Sequence, residues 1–249
     1  MIKIKIPKSW NDLTHSQMTK IAQLIHRQEP GLRFDKKVFL ILAGTRFWQL
    51  RKKAITRYIL SQVPLSELRQ HFEFIYSQNN RTIFLPQITI KGITYYAPKD
   101  RLSNVSIDEF SVADDLHSQF RKTQNPEYLY YLMAVLYVTT AQPRPAFDKY
   151  DLEDKVKHFK KVPLELLLAT ELTYFGCKNN LVQRFPKAFP KGAQKPNAKN
   201  YGVAKVILQM TKGDLSKLEN IKKINTYTFF EQFQDDIIQA KKQDTSWKK

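Results

Sequence analysis

A single cysteine, Cys177, rules out a disulfide framework and any zinc site built on paired thiolates. Glycine is scarce too: seven in 249 residues, none spaced as G-x-x-x-x-G-K or G-x-G-x-x-G, so no phosphate-cradling loop is encoded. No Gly-x-Ser-x-Gly nucleophile elbow occurs. The five histidines (His15, His26, His71, His117 and His158) are scattered, with no two four residues apart. No stretch approaches about 18 uncharged apolar residues, and Lys3-Ile4-Lys5-Ile6 alternates charge where a secretory leader would carry an apolar core. These absences lead us to expect a soluble, intracellular, non-enzymatic chain with no cofactor and no resident metal.

Acid is the other shortage. The chain has 23 Asp+Glu against 41 Lys+Arg, a net charge of +18. The excess sits at the two ends: residues 1–63 hold 13 basic residues to 3 acidic, residues 64–150 hold 9 to 9, and residues 151–249 hold 19 to 11. Residues 178–205 include seven basic side chains and no acid. A surface of this kind attracts nucleic acid, an anionic membrane face or an acidic protein, or serves solubility alone. Apolar residues make up 42% and aromatics 12%, enough to bury a core and to exclude global disorder.

What is present reads as mostly helix. Residues 3–6 alternate with period two and predict a short strand ended by Pro7. Thr14 and Gln17 form a capping-box pattern with Leu13 placed to staple on Met18, and Met18, Ile21, Ala22 and Ile25 follow at helical spacing until Pro30-Gly31. A second helical stretch covers about 36–62, with Gly44 as its break point, and Pro64 starts a third with Leu65, Leu68, Phe72, Ile75 and Tyr76 on one face. After Asn79-Asn80 the pattern changes. Residues 82–85, 87–90 and 93–96 are β-rich, and Lys91-Gly92 between the last two signals a hairpin. Ser106 and Glu109 repeat the capping box, with Val105 placed against Phe110. Asn125-Pro126 opens the apolar run 128–138, residues 140–150 form a proline-bearing loop, and Pro163 opens a helix through Phe175. Three prolines in 185–199 forbid a continuous helix, which makes that segment a linker or exposed arm. Helix resumes over 201–210, followed by a Lys212-Gly213-Asp214 turn and a final amphipathic helix carrying Phe230, Phe233, Ile237 and Ile238. No internal repeat is visible. The expected fold is a helical bundle over 1–184 with a small central β-hairpin at about 81–97, a linker over 185–200, and a smaller C-terminal helical unit over 201–249.

Charged and polar residues supply the candidate sites. Segment 46–58 interleaves Arg46, Arg51, Lys52, Lys53 and Arg57 with Phe47, Trp48, Leu50 and Tyr58, and places Lys53 and Arg57 one turn apart, a spacing suited to phosphates. The plainer alternative makes Phe47, Trp48 and Leu50 core and the cations a solvated face. Lys187, Lys191, Lys195 and Lys199 recur every fourth residue, but Pro186, Pro190 and Pro196 deny them a helix; extended, they would track a phosphate backbone or an acidic groove. A nucleic-acid-binding reading therefore rests on Arg46, Arg51, Lys52, Lys53, Arg57, Lys187, Lys191 and Lys195, without a helix-turn-helix, RRM or zinc-finger signature. Asp108-Glu109 at a helix start is accounted for by the macrodipole. Glu171, interrupting an apolar run, is expected at the edge of its face. Asp235-Asp236 reads as the wet side of the last helix. Asp114, Asp115 and His117 could meet on one helix turn, but such triples are common on solvated faces. Cys177, with no base near it in sequence, reads as a core residue.

Taken in order, the features resemble uncharacterised proteins of the tail-morphogenesis regions of tailed bacteriophages and prophages, among them tail assembly chaperones and minor virion proteins. The residues that carry the resemblance are Ile6-Pro7-Lys8-Ser9-Trp10-Asn11-Asp12-Leu13-Thr14 before a helix, a hairpin with Gly92-Ile93-Thr94-Tyr95-Tyr96-Ala97-Pro98, the run from Tyr130 to Tyr137 with Phe147-Asp148 downstream, and Gly213-Asp214 before the terminal helix. The resemblance implies a non-enzymatic assembly or structural protein in the host cytoplasm or virion. Its partners would be other phage structural or assembly proteins, such as an extended tape-measure-like helix or copies of a tube protein, with self-association as a further option. Tyr and Trp suit partner docking because they bring large contact area at low entropy cost. The apolar face of the last helix (Phe230, Phe233 and Ile237) is the first candidate contact.

Overall fold

Capping chemistry starts the first helix where the sequence asks for it. The Thr14 hydroxyl accepts from the Gln17 N–H (3.2 Å) and the Gln17 side chain accepts from the Thr14 N–H (2.9 Å), launching α1 (His15–His26). The computed structural model describes residues 4–28, 31–44, 50–189 and 202–246, with side chains to 243. It is mainly helical with one two-stranded antiparallel hairpin, as expected. Its contacts divide the chain into two units: Met1–Arg81 with Pro163–Gly176, and Thr82–Val162 with Cys177–Lys249.

In the first unit α1 is followed by α2 (Gly31–Ala43), α3 (Leu50–Gln62) and the short α4 (Leu65–Arg69), which runs into a 3-10 segment, Gln70–Ile75. The stretch expected over 36–62 is two helices broken at Gly44, which ends the first of them with φ +59°, a conformation that costs a side chain dearly. Met18, Ile21 and Ala22 of α1 are buried along with Val38, Phe39 and Leu42 of α2, and Leu68 and Phe72 behind them. The Gln17 amide, besides capping its own helix, donates to the Leu42 carbonyl at 3.0 Å. Residues 4–7 form no strand, because no neighbouring strand supplies a ladder; residues 1–3 lie outside the described set, as does Pro30.

Arg81 closes this unit. It is 2% exposed, and its Nη1 donates to the carbonyls of Trp10 (2.9 Å), Asn11 (3.2 Å) and Leu13 (3.0 Å). Asn79, also buried, accepts from the Arg81 N–H (2.8 Å) and donates to the Leu172 carbonyl (2.6 Å) of α8 (Leu164–Arg184). Gly176 of that helix crosses the Arg81 backbone so closely that a Cβ there would lie 2.1 Å from the Arg81 carbonyl oxygen. Burial pushes the half-buried His15 imidazole below its usual range, and the Arg81 charge adds to the effect. Glu171 is 4% exposed and so lies inside the packed part of α8, not at the edge of its face.

The second unit holds the hairpin, β1 (Gln87–Ile90) and β2 (Ile93–Tyr96), in the register Ile88↔Tyr95 and Ile90↔Ile93. Lys91 and Gly92 both take positive φ (49° and 80°), as a tight hairpin turn with the right twist requires. Residues 82–85, expected as strand, join no ladder. Isolated donors take two of their carbonyls instead: the Arg101 N–H and the Cys177 thiol both reach Thr82, and the Tyr137 hydroxyl reaches Leu85. The unit also holds α5 (Ile107–Thr123), α6 (Glu127–Leu136), α7 (Leu152–Phe159), the end of α8, α9 (Gly202–Met210), α10 (Leu218–Lys222) and α11 (Thr226–Ser246). Helix α7 was not expected, although Leu152, Val156 and Phe159 recur at helical spacing and are all buried. The Tyr95 hydroxyl lies 2.5 Å from His158 Nδ1, which ties β2 to α7.

Residues 201–249, set apart in the sequence reading, fall in the same unit as 82–162. The Thr226 hydroxyl donates to the carbonyls of Val105 (2.8 Å) and Ser106 (3.1 Å), and the Ile107 N–H donates to the Ile224 carbonyl (2.8 Å), so α11 starts against the start of α5. The expected linker begins with packed residues: Phe185 is buried and Phe189 lies 4.8 Å from the Phe230 ring. Residues 190–201 lie outside the described set.

The Arg81 crossing predicts two large effects. Arg81→Leu leaves buried carbonyls without their donor and is expected to lower unfolding free energy by about 3 kcal/mol or more. Gly176→Ala forces two backbones apart and is expected to lose about 3 kcal/mol. Urea denaturation followed by circular dichroism reads both; losses under about 1 kcal/mol would show that the crossing is not a constraint.

Candidate interaction surface

Helix α3 is the least buried helix of the first unit, and its composition explains why. Its thirteen residues, LRKKAITRYILSQ, include four cations and no acid. Only Thr56 is buried, with its hydroxyl donating to the Lys52 carbonyl at 2.8 Å. Half-buried Ile59 borders an apolar cavity of about 360 Å³ lined also by Ile4, Ile6, Phe39, Leu68 and His71. A helix of this length is marginal on its own, so α3 depends on that inner edge.

The outer face is a ridge of Leu50, Ala54 and Tyr58, one turn apart from each other, with Leu50 74% and Tyr58 67% exposed. Exposed Arg51 and Arg57 flank it. Leu50 is therefore not a core residue, as the plainer reading had it; Phe47 and Trp48 lie outside the described residues. Lys52 turns back, its Nζ donating to the Gly44 carbonyl at 3.4 Å, and Lys53 is half-buried. The ridge could have been found from the four-residue spacing of Leu50, Ala54 and Tyr58.

The other expected residues are dispersed. Arg46, Lys191, Lys195 and Lys199 lie outside the described residues. Lys187 is exposed in the second unit, its N–H donating to the Gln234 side chain at 3.2 Å. Phe230, offered as a partner contact, is 2% exposed and sits among Phe110, Phe185, Phe189 and Phe229 at centroid distances of 4.8–6.0 Å, so its own unit consumes its surface. Phe233 stacks on Phe229 (6.4 Å) and is half-buried, as is Ile237. Asp114 pairs with Lys178 at 2.5 Å, His117 is buried, and no group of three metal-ligating side chains occurs among the described residues. Nor is any helix among the described residues long and apolar enough to cross a membrane. No protein-family model, curated protein or solved structure matches this chain.

Because Leu50 and Tyr58 are largely exposed, Leu50→Ser and Tyr58→Ser are each expected to change stability by less than about 0.5 kcal/mol, measured by thermal unfolding. A loss the size of a core truncation, about 2 kcal/mol or more, would mean that the ridge is covered internally.

Proposed function

We propose that the protein is a non-enzymatic assembly or structural protein that works by protein–protein contact, with the outer face of α3 as its contact surface. The observation that carries this reading is the exposed Leu50–Ala54–Tyr58 ridge between Arg51 and Arg57. Tyrosine and arginine are the residues that most often anchor such contacts, and an aliphatic centre with a basic rim fits an apolar partner surface edged with acid. The resemblance to phage tail-morphogenesis proteins supplies the context, with other phage structural or assembly proteins as partners.

Magnitudes limit what one such contact achieves. Covering Leu50 and Tyr58 is worth about 2 kcal/mol each, and about 4 kcal/mol in total corresponds to a dissociation constant near 1 mM. One ridge makes a weak contact; many copies on a repeating partner make a strong one. A tube or a rod-like helix offers that repetition.

The second reading, nucleic-acid binding, is favoured by the absence of acid in α3 and the exposure of Arg51 and Arg57. An aliphatic ridge at the centre of the face serves phosphates poorly, which is why it ranks second.

Photo-crosslinking decides between them. A benzophenone amino acid at Tyr58, in cells co-expressing the proteins encoded beside this gene, is expected to yield a specific adduct that Leu50→Glu abolishes. No adduct and no self-association would defeat the proposal. So would fluorescence polarisation showing tight binding to short DNA or RNA whose log affinity falls steeply with log salt, an outcome that makes the basic rim the functional element.

A further inference from the structure

The alternation of residues 3–6 predicts a strand, and the first unit gives Ile4–Ile6 a strand's side-chain placement without a strand's pairing. Ile4 and Ile6 are half-buried and both line the apolar cavity, while Lys5 between them is exposed, the period-two arrangement of a pleated chain. Pro7, which has no N–H, ends the pattern. No backbone N–H or carbonyl of residues 4–6 has a hydrogen-bond partner among the described residues. The chain's other β-rich run of this length is paired: Gln87–Ile90 finds Ile93–Tyr96. An unpaired run is a ready template for a strand from another chain.

The two faces of the run decide what such a strand must carry. On the inner face Phe39, Ile59 and Leu68 wall a cavity of about 360 Å³, which holds roughly a dozen waters at about 30 Å³ each, or a few aliphatic side chains. In a ladder, the residues opposite Ile4 and Ile6 lie on the same side with Cβ atoms about 5 Å away, so alternate side chains of the incoming strand enter this cavity. On the outer face Lys5 has no ion pair among the described residues. The Asp12 carboxylate, which the Lys5 charge reaches, already accepts from the Ser9 hydroxyl (2.8 Å) and the Lys8 N–H (3.3 Å). A second copy does not fit. Any pairing of residues 3–6 with themselves that keeps the isoleucines inward sets lysine against lysine.

We propose that residues 4–6 receive an extended peptide of a partner protein by β-addition, its apolar residues entering the cavity and its alternate, acidic residues facing Lys5. Main-chain hydrogen bonds supply the attachment; the cavity and the charge supply the selection. Residues 1–63, with 13 basic residues to 3 acidic, draw an acidic segment toward this face. The contact is separate from the α3 ridge, because Ile59 is on the inner edge of that helix and Leu50 and Tyr58 are on the outer one.

Fluorescence anisotropy on the full chain tests this with a fluorescein-labelled peptide amide that alternates glutamate and valine three times. Its controls are the lysine–valine alternation, a block peptide of three glutamates then three valines, and two N-methylated forms. One form is methylated at every valine and the other at every glutamate, since alternate N–H groups of a strand point to opposite edges. The alternating acidic peptide is expected to bind saturably, with the lysine and block peptides and at least one methylated form about ten-fold weaker or silent. Lys5→Glu is expected to reverse the preference between the acidic and lysine peptides. Lys20→Glu, the same charge change at an exposed position of α1, is expected to leave the preference in place, with circular dichroism showing both variants folded. The proposal is overturned by no saturable binding, by equal binding of the block peptide (net charge alone), or by binding that neither methylation weakens (side chains alone). It is also overturned if Lys5→Glu acts no more strongly than Lys20→Glu, or if sedimentation shows self-association that the acidic peptide competes away, which makes a second copy the occupant.

Discussion

A guanidinium removed from water needs acceptors, and the Nη1 of Arg81 finds them by reaching back about seventy residues to the carbonyls of Trp10, Asn11 and Leu13. The consequence is a fixed point in the first unit. The turn before α1 is held by its backbone, independent of which side chains follow. The neighbouring Asn79 reaches α8 through the Leu172 carbonyl, and α8 can approach only because residue 176 lacks a Cβ. A hydrogen bond to a charged donor is worth roughly 1.5–3 kcal/mol, and the two N–H bonds of Nη1, shared among three carbonyls, together outweigh any single aliphatic contact nearby. The buried Met18, Val38 and Phe72 sit in a frame set by polar groups.

The second unit uses an acid for a similar purpose. Glu109 is the third residue of α5, where its carboxylate caps the helix by accepting from Ser106, and the same carboxylate receives Arg144 from the 140–150 loop. One side chain thus satisfies the start of a helix and pins a proline-bearing loop. Thr226 holds the neighbouring carbonyls of Val105 and Ser106, so the first turn of α5 is where α11 and the loop are both anchored.

Surface and core divide unevenly between the helices. The last helix, the most aromatic by sequence, turns its phenylalanines inward, with Phe230 enclosed by four other rings. Helix α3, the most basic, leaves a leucine and a tyrosine in water. On the proposed reading, apolar atoms outside on a cationic helix would make a contact weak singly and specific in charge, as suits a protein acting in many copies on a repetitive partner.

Both capping boxes, the Lys91-Gly92 turn and the break at Gly44 were legible in the sequence because each depends on residues at most four apart, whose chemistry travels with the chain. Helix α7 was legible in the same way and was overlooked. Other features were not legible. Nothing local says that Arg81 is buried, that Gly176 must be glycine, that residues 82–85 join no strand, or that Phe230 is enclosed while Leu50 is exposed. Those outcomes depend on partners from far along the chain, such as Trp10 for Arg81 and Phe110 for Phe230. The sequence by itself determined the helical class, the helix starts and the hairpin, through interactions of short reach. Only the tertiary structure decided which charges are buried and which apolar faces stay open, because burial belongs to the packed neighbours and not to the residue.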